Sequence, residues 1–246
     1  MERMSLLGFG ACTPDAEFRA RLPFPASGIN RDAIPAMLRR RSSQATQIAF
    51  SAATLACAQA GCSPASLPAV FASVAGEIQT TDQLCVELCK ADAMLSPAAF
   101  HNSVQNTVAG YWSIAQQCTQ AATALAAGYD TFAMALLEAW CQLACHGGEL
   151  LLVCYDERWP DYLAPGQGQT PFACALVLAA ERLPDALLQI GRPFFDASAS
   201  SASATLININ PILTAMPLLT QAAAGNQSSQ TRLLIGTGWQ VEVYDR

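Results

Sequence analysis

The stretch SPAAFHNSVQNTVAGYWSI, residues 96–114, decides the fold of this 246-residue chain. Ser96 and Pro97 open a new structural unit, and residues 102–114 mix polar side chains with Val, Tyr and Trp in a pattern that predicts a helix. This helix is too polar for a plain core helix and too apolar for a face exposed to water. We therefore expect its side chains to contact the surface of another protein.

Strands alternate with helices on both sides of this stretch. Short apolar runs predict strands at 5–11, 69–74, 150–154, 172–178, 233–235 and 239–244. Apolar residues at helical spacing predict helices at 33–60, 80–90, 102–114, 130–145 and, interrupted by prolines, 206–219. A Ser/Ala segment at 197–204 is predicted as a linker. The alternation predicts an α/β layered domain with a mainly parallel or mixed sheet.

The composition excludes several classes of protein. Hydrophobic residues make up 52% of the chain, which excludes an intrinsically disordered protein. Only 13% of the residues are charged, so we expect another protein to cover part of the surface. The net charge of -6 argues against a nucleic-acid partner. We find no apolar run long enough for a membrane helix and no signal peptide, so we expect a cytoplasmic protein.

The ten cysteines are predicted to be reduced, and most of them to be buried. Cys85 and Cys89, like Cys141 and Cys145, are spaced four residues apart, as on one face of a helix. A zinc site would need further ligands, and His146 is the one candidate nearby. We therefore expect no metal site. We also expect no cofactor, because no glycine-rich phosphate-binding motif is present.

Residues 96–114 resemble the stretch that precedes the nucleophile in β-ketoacyl synthases. The resemblance is strongest to the short synthase-like proteins found beside ketosynthases in bacterial aryl polyene pigment pathways. It extends over residues 5–183, with landmarks in the same order. These landmarks are LLGFG at 6–10, LRRR at 38–41, FASVAGE at 71–77, the helix and strand between 129 and 157, and the strand at 172–178.

The resemblance implies a thiolase-like fold. Full synthases have two similar halves, and this chain is similar to the first half only, so it is truncated relative to full ketosynthases. We expect a layered α-β-α half with a five-stranded mixed sheet. The implied β-ketoacyl synthase N-terminal-like domain spans residues 1–183, and residues 184–246 form a short C-terminal extension packed on the same domain.

The resemblance also predicts that the chain is inactive by itself. Active family members place a cysteine in a tight turn at the N-terminus of a buried helix, where the helix favours the thiolate. They take two basic partners, usually histidines, from their second half. Residues 123–128, TALAAG, match this turn and put Leu125 near the nucleophile position. We therefore expect no catalytic residue.

A chain length factor is the function that the resemblance implies. Such a subunit pairs with an active ketosynthase, as a heterodimer or a dimer of heterodimers, and an acyl carrier protein holds the growing chain. Core strands pair across the two-fold axis, and the helix before the turn helps to wall the partner's acyl tunnel. The residues predicted at the tunnel and interface are Ala99, Phe100, His101, Asn102, Val104, Asn106, Tyr111 and Trp112.

The sequence leaves two alternatives to this function open. The chain could be a minimal synthase or acyltransferase that uses Cys118 or Thr123, with His101 as the base. It could also be a structural stabiliser of the ketosynthase that never contacts substrate. The arginines at 39–41 have alternative interpretations as well. They could contact an acidic carrier protein, form a solvated face at the start of a helix, or form an ion pair at an interface.

Overall fold

The computed structural model describes residues 1–166, 170–199, 204–225 and 230–244. Its strands are β1 (Arg3–Cys12), β2 (Ala69–Ala72), β3 (Ala122–Leu125), β4 (Glu149–Asp156), β5 (Phe172–Ala179), β6 (Leu188–Gly191), β7 (Phe194–Phe195), β8 (Thr231–Leu234) and β9 (Trp239–Tyr244). Its helices are α1 (Ala16–Ala20), α2 (Ala36–Arg39), α3 (Gln44–Ala60), α4 (Ile78–Leu88), α5 (Pro97–Asn102), α6 (Thr107–Gln116), α7 (Thr131–His146), α8 (Ala204–Ile209) and α9 (Met216–Ala224). None of the helices in these ranges is long and apolar enough to cross a membrane.

All nine strands within the described ranges form one mixed sheet in the order β3-β2-β4-β5-β1-β6-β9-β7, with β8 paired to β9. Strand β2 runs parallel to β3 and β4, whereas β5 is antiparallel to both β4 and β1. The predicted layered α/β fold with a mixed sheet is confirmed. The sheet has more strands than the five expected, because the chain after residue 184 joins it: β6 pairs with the start of β1.

Two predicted helices differ in their bounds from the observed ones. The helix predicted over 33–60 is α2 and α3, since Ser43 caps a new helix by accepting a hydrogen bond from the Thr46 amide. The helix predicted over 102–114 corresponds to α6, which begins at residue 107. Residues 103–106 separate it from the preceding helix α5, which ends at Asn102. Half of the predicted linker at 197–204, residues 200–203, lies outside the described ranges.

The sheet is covered on both faces. Helices α3 and α6 pack on one face, where Phe50, Phe71 and Trp112 lie in one apolar cluster. Helix α7 and the segment that contains α9 pack on the other face, where Phe132 and Leu219 belong to a second cluster. Every residue of β5 is buried, and so is every residue of β4 except its first, Glu149, as expected for strands covered on both sides.

Strand β1 and helix α3 approach each other backbone to backbone. A Cβ atom at Gly10 would lie 2.2 Å from the carbonyl oxygen of Ala52, and one at Gly8 would lie 2.6 Å from that of Ala56. Helix α3 presents small side chains to the strand. The two glycines therefore set the distance between this helix and the sheet.

We predict that Gly10→Ala destabilises the chain by about 3 kcal/mol, because the added methyl group meets backbone atoms that cannot move without displacing α3. Gly110→Ala is the matched control. Gly110 is exposed inside helix α6 with nothing near its missing Cβ, so alanine there should stabilise the chain by about 0.5–1 kcal/mol. Denaturant unfolding measures both changes, and equal effects of the two variants would contradict the prediction.

Candidate functional site

The predicted interface segment forms two short helices, α5 and α6, and the first of them lies on the surface. The Ser96 hydroxyl caps α5 by accepting from the Ala99 amide at 3.3 Å, and no residue of the helix is buried. The Phe100 side chain is 62% exposed and that of Val104 is 45% exposed. His101 and Asn106 are also exposed, and Ala99 is half-buried. These residues are therefore available for contact with a partner.

Asn102 fixes the position of α5. Its side-chain Oδ1 accepts a hydrogen bond from the Tyr111 hydroxyl at 2.5 Å, and its Nδ2 donates to the Arg41 carbonyl at 3.0 Å. The Thr107 hydroxyl donates to the Asn102 carbonyl at 3.0 Å. Asn102 thus joins α5 to α6 and to the turn after α2. Two of the predicted site residues, Asn102 and Tyr111, are brought into direct contact.

Trp112 does not lie on the surface where we predicted an interface contact. It is 1% exposed and packs edge-on against Phe50, with ring centroids 5.1 Å apart. Its ring also meets Phe71 of β2. Trp112 is therefore a core residue that holds α6 against the sheet, and it turns the opposite face of α6, with Ile114, outward. The ring of Tyr111 is 6% exposed.

The exposed face of this segment is unusually apolar. Ile114 is 65% exposed, and Leu38, Arg41, His101 and Tyr111 lie with it around a groove of about 260 Å³. Helix α4, which contacts α5, adds further exposed apolar side chains that the sequence patterns did not single out. We call the following set the apolar surface: Val86, Leu88, Met94, Leu95, Phe100, Val104 and Ile114.

The turn that matches the nucleophile turn of the synthases lies between β3 and α7. Leu125 ends β3, and the Ala127 amide donates to the Thr131 hydroxyl at 3.0 Å, which closes the turn. Leu125 itself packs against the core cluster beside α7. From Leu125 to Gly128 no side chain carries a nucleophilic atom.

The two alternative nucleophiles are each engaged elsewhere. The Cys118 thiol is buried and donates to the Leu67 carbonyl at 3.4 Å. The Thr123 hydroxyl accepts from the Gln142 amide group at 3.0 Å. The ring of the exposed His101 lies 6.3 Å from that of Tyr111, and its Nδ1 lies 3.3 Å from the Asn102 Oδ1. The described hydrogen bonds do not join His101 to either nucleophile.

Strand β3 forms an edge of the sheet, because within the described ranges it pairs with β2 alone. The Ala69 amide donates to the Ala121 carbonyl at 3.0 Å, and the Ser73 amide donates to the Leu125 carbonyl at 3.2 Å. Since the backbone groups of a strand alternate in direction, Ala122 and Ala124 point their N–H and C=O groups away from β2. These groups are free to pair with a strand from another chain.

Beside this edge lies a cleft of about 560 Å³, lined by Thr123, Glu138, Gln142 and His146 among others. His146 is the last residue of α7, and Gly147 follows it with a φ of 67°. Among the side chains that the structure describes, no group of three or more His, Cys, Asp or Glu residues could hold a metal ion.

Comparison with known proteins gives one family match. The family model of the β-ketoacyl synthase N-terminal domain matches residues 16–235. No curated protein matches the chain.

Several solved structures share its fold. One is a chain from the ketosynthase ApeO in complex with its chain length factor ApeC from Xenorhabdus doucetiae, with 20% identity, a TM-score of 0.71 and coverage of 99% of this chain and 100% of that chain. Another is from the complex AntDE:AntF, described as a type II PKS acyl-carrier protein in complex with its ketosynthase bound to the hexaketide. It has 10% identity and a TM-score of 0.69, and the match covers 100% of this chain and 99% of that chain. The ishigamide ketosynthase/chain length factor has 13% identity and a TM-score of 0.59, and the match covers 90% of this chain and 80% of that chain.

Proposed function

The chain belongs to the family of β-ketoacyl synthase N-terminal domains, and on this basis we propose that it is a catalytically inactive chain length factor. It pairs with an active β-ketoacyl synthase, as a heterodimer or a dimer of heterodimers, and shapes the acyl tunnel of that partner during aryl polyene elongation. An acyl carrier protein brings the growing chain to the complex. The similar folds of the ketosynthase complexes with ApeC and AntF support these two partners.

The observation that carries the proposal is the apolar surface on α4, α5, α6 and the segments that join them. Isolated apolar residues on a protein surface are common, but Phe100 and Ile114 are 62% and 65% exposed on neighbouring helices that also expose Val86 and Leu88. Interfaces of permanent complexes are large and apolar at their centre. A ketosynthase partner that covers this face would also account for the low charge of the chain.

The open edge of β3 offers a second contact with the same partner. A strand that pairs with Ala122 and Ala124 would continue the sheet across the interface without disturbing the β2 pairing. The resemblance to synthases, in which core strands pair across the two-fold axis, makes this the expected mode of association.

We predict that Ala124→Pro weakens the complex at least about tenfold while the chain stays folded, because it removes an N–H group that points to the open edge. Thr123→Pro is the paired control. Thr123 points its backbone toward β2, so proline there should lower the stability of the chain itself. Co-purification with the ketosynthase, followed by measurement of the mass of the complex and of the melting temperature of each variant, checks both statements. Tight binding by Ala124→Pro would exclude strand pairing at β3.

We predict that the chain takes up no acyl group when the complex is incubated with an acyl carrier protein thioester. The turn from Leu125 to Gly128 carries no nucleophile, and the Cys118 thiol is buried. Intact-mass measurement of both subunits is the test, and the ketosynthase in the same mixture is the positive control. A stoichiometric adduct on this chain would establish the minimal-enzyme alternative.

Ala99 is proposed to set the length of the product. It is half-buried on α5 beside the exposed Phe100, where a small side chain leaves room for a long, stiff polyene and Phe100 forms the wall. We predict that Ala99→Phe and Ala99→Trp shorten the product while the complex still assembles, because added volume closes the end of the tunnel.

The control for this experiment is Ala98→Phe. Ala98 is exposed one position earlier on α5 and lines the groove beside Arg41, so its enlargement should leave product length unchanged. Products are compared by mass spectrometry after reconstitution with the ketosynthase and the carrier protein. Unchanged product length in an intact Ala99→Trp complex would favour a purely structural stabiliser.

A further inference from the structure

Three carboxyl side chains lie buried together where β2 and β4 end. Asp156, Glu157 and Glu77 are 0%, 1% and 2% exposed. Asp156 accepts hydrogen bonds from the Ser73 hydroxyl at 2.7 Å and from the amides of Val74 and Ala75 at 3.1 Å each. These three donors belong to the segment that leads from β2 into α4, so Asp156 holds that segment against the end of β4.

The other two carboxyls hold the start of α4. Glu157 accepts from the Gln79 amide at 3.0 Å, in the first turn of the helix. Glu77 directly precedes α4 and accepts from the Thr46 hydroxyl of α3 at 2.9 Å. The second carboxylate oxygen of Glu77 is buried and has no hydrogen-bond partner. Together the three acids connect α4 to β4 and to α3.

Within the described residues, no cation balances this cluster. The recorded ion pairs are Arg39–Asp32, Lys90–Glu87, Arg158–Asp161 and Arg232–Glu242. The groups that face the acids from α3 and α4 are uncharged: Ser43, the Ala45 amide, Thr46, Gln79 and Thr80. The first turns of these two helices supply partial positive charge only. From β4 itself come Tyr155 and Cys154, which are also acidic groups.

Burial makes ionisation of the cluster unfavourable. It raises the pKa of Asp156 to about 6 and that of Glu157 to about 7, with hydrogen bonds partly opposing the shift. Burial also raises the pKa of Glu77, and neighbouring Glu77 and Asp156 add to the shift of Glu157. The cluster therefore gains most of its charge between mildly acidic and mildly alkaline pH.

We propose that Glu77, Asp156 and Glu157 form a pH-dependent latch that holds residues 73–88 closed while the cluster keeps a proton and releases them when it is fully ionised. The raised pKa values mean that the closed state binds more protons than the open state. Closure is therefore most favourable at low pH and is lost as the pH rises through about 6 to 7. The released segment includes α4, which exposes Val86 and Leu88 of the apolar surface. This proposal concerns the chain itself and does not depend on the pairing with a ketosynthase.

Hydrogen exchange on the full chain tests the latch. Protection factors of amides 74–88, corrected for the intrinsic effect of pH, are compared between pH 5.5 and pH 8.0. We expect them to fall at least about tenfold, because the pKa of Glu157 lies more than one unit above pH 5.5 and each such unit changes the opening equilibrium about tenfold. Amides of β5 should keep their protection. In Glu157→Gln, whose side-chain oxygen can still accept from the Gln79 amide, the fall should be less than about threefold. Glu138→Gln, a half-buried acid on α7, is the control and should behave as the wild type.

A wild-type chain whose protection at 74–88 does not change with pH would overturn the latch. An equal fall in Glu157→Gln and Glu138→Gln would overturn it as well. If Glu157→Gln does not fold, titration of the wild-type carboxyl carbons by NMR decides instead. A buried carboxyl that titrates near pH 7 supports the latch, and ordinary titration of all carboxyls near pH 4 contradicts it.

Discussion

The contact between Gly8 and Gly10 on β1 and the small face of α3 is the constraint on which the rest of the structure depends. Because the two backbones are in direct contact, α3 packs unusually close to the sheet. Strand β1 is paired with β5 on one side and with β6 on the other. The centre of the sheet is thereby covered on this face by a single long helix. The remaining part of the face, over β2 and β3, is left to α6, which Trp112 fixes against Phe50 of α3.

This arrangement explains why the apolar surface exists. Helix α6 has one face buried by Trp112 and Tyr111, so Ile114 must point away from the core. Helix α5 is short and has no buried residue, and Asn102 rather than an apolar side chain keeps it in place. Helix α4 likewise buries no residue, and hydrogen bonds at its first turn hold it. Polar anchoring of α4 and α5 leaves their apolar side chains free for a partner.

The sequence predicts the long elements well because burial on both faces makes them continuous apolar runs or clear helical repeats. It does not predict the bounds of elements that are set by polar side chains. Ser43, for example, caps a new helix inside a stretch whose apolar spacing predicts one continuous helix. Strands β6 and β7, of four and two residues, are too short to produce a pattern. The sequence predicts Trp112 at the interface, whereas its side chain is buried in the core, because a tryptophan in a helix of mixed polarity carries no sequence signal for its direction. Asp156 and Glu157 lie just beyond the predicted strand at 150–154. Burial of acids at this place requires hydrogen-bond donors that are distant in the sequence and that only the fold brings near.

The two edges of the sheet differ in what they can offer another chain. At one end β7 has two residues, and β8, which pairs with β9, has four residues and carries the charge of Arg232. At the other end β3 presents Ala122 and Ala124 with small side chains and outward backbone groups. Edge strands are usually protected by charge, proline or a covering element, and β3 has neither a charge nor a proline. An unprotected edge that ends at the turn with Leu125 is the feature expected of a strand that is covered in an assembly. A partner strand paired there would also bring the second chain beside α6, and so next to the apolar surface.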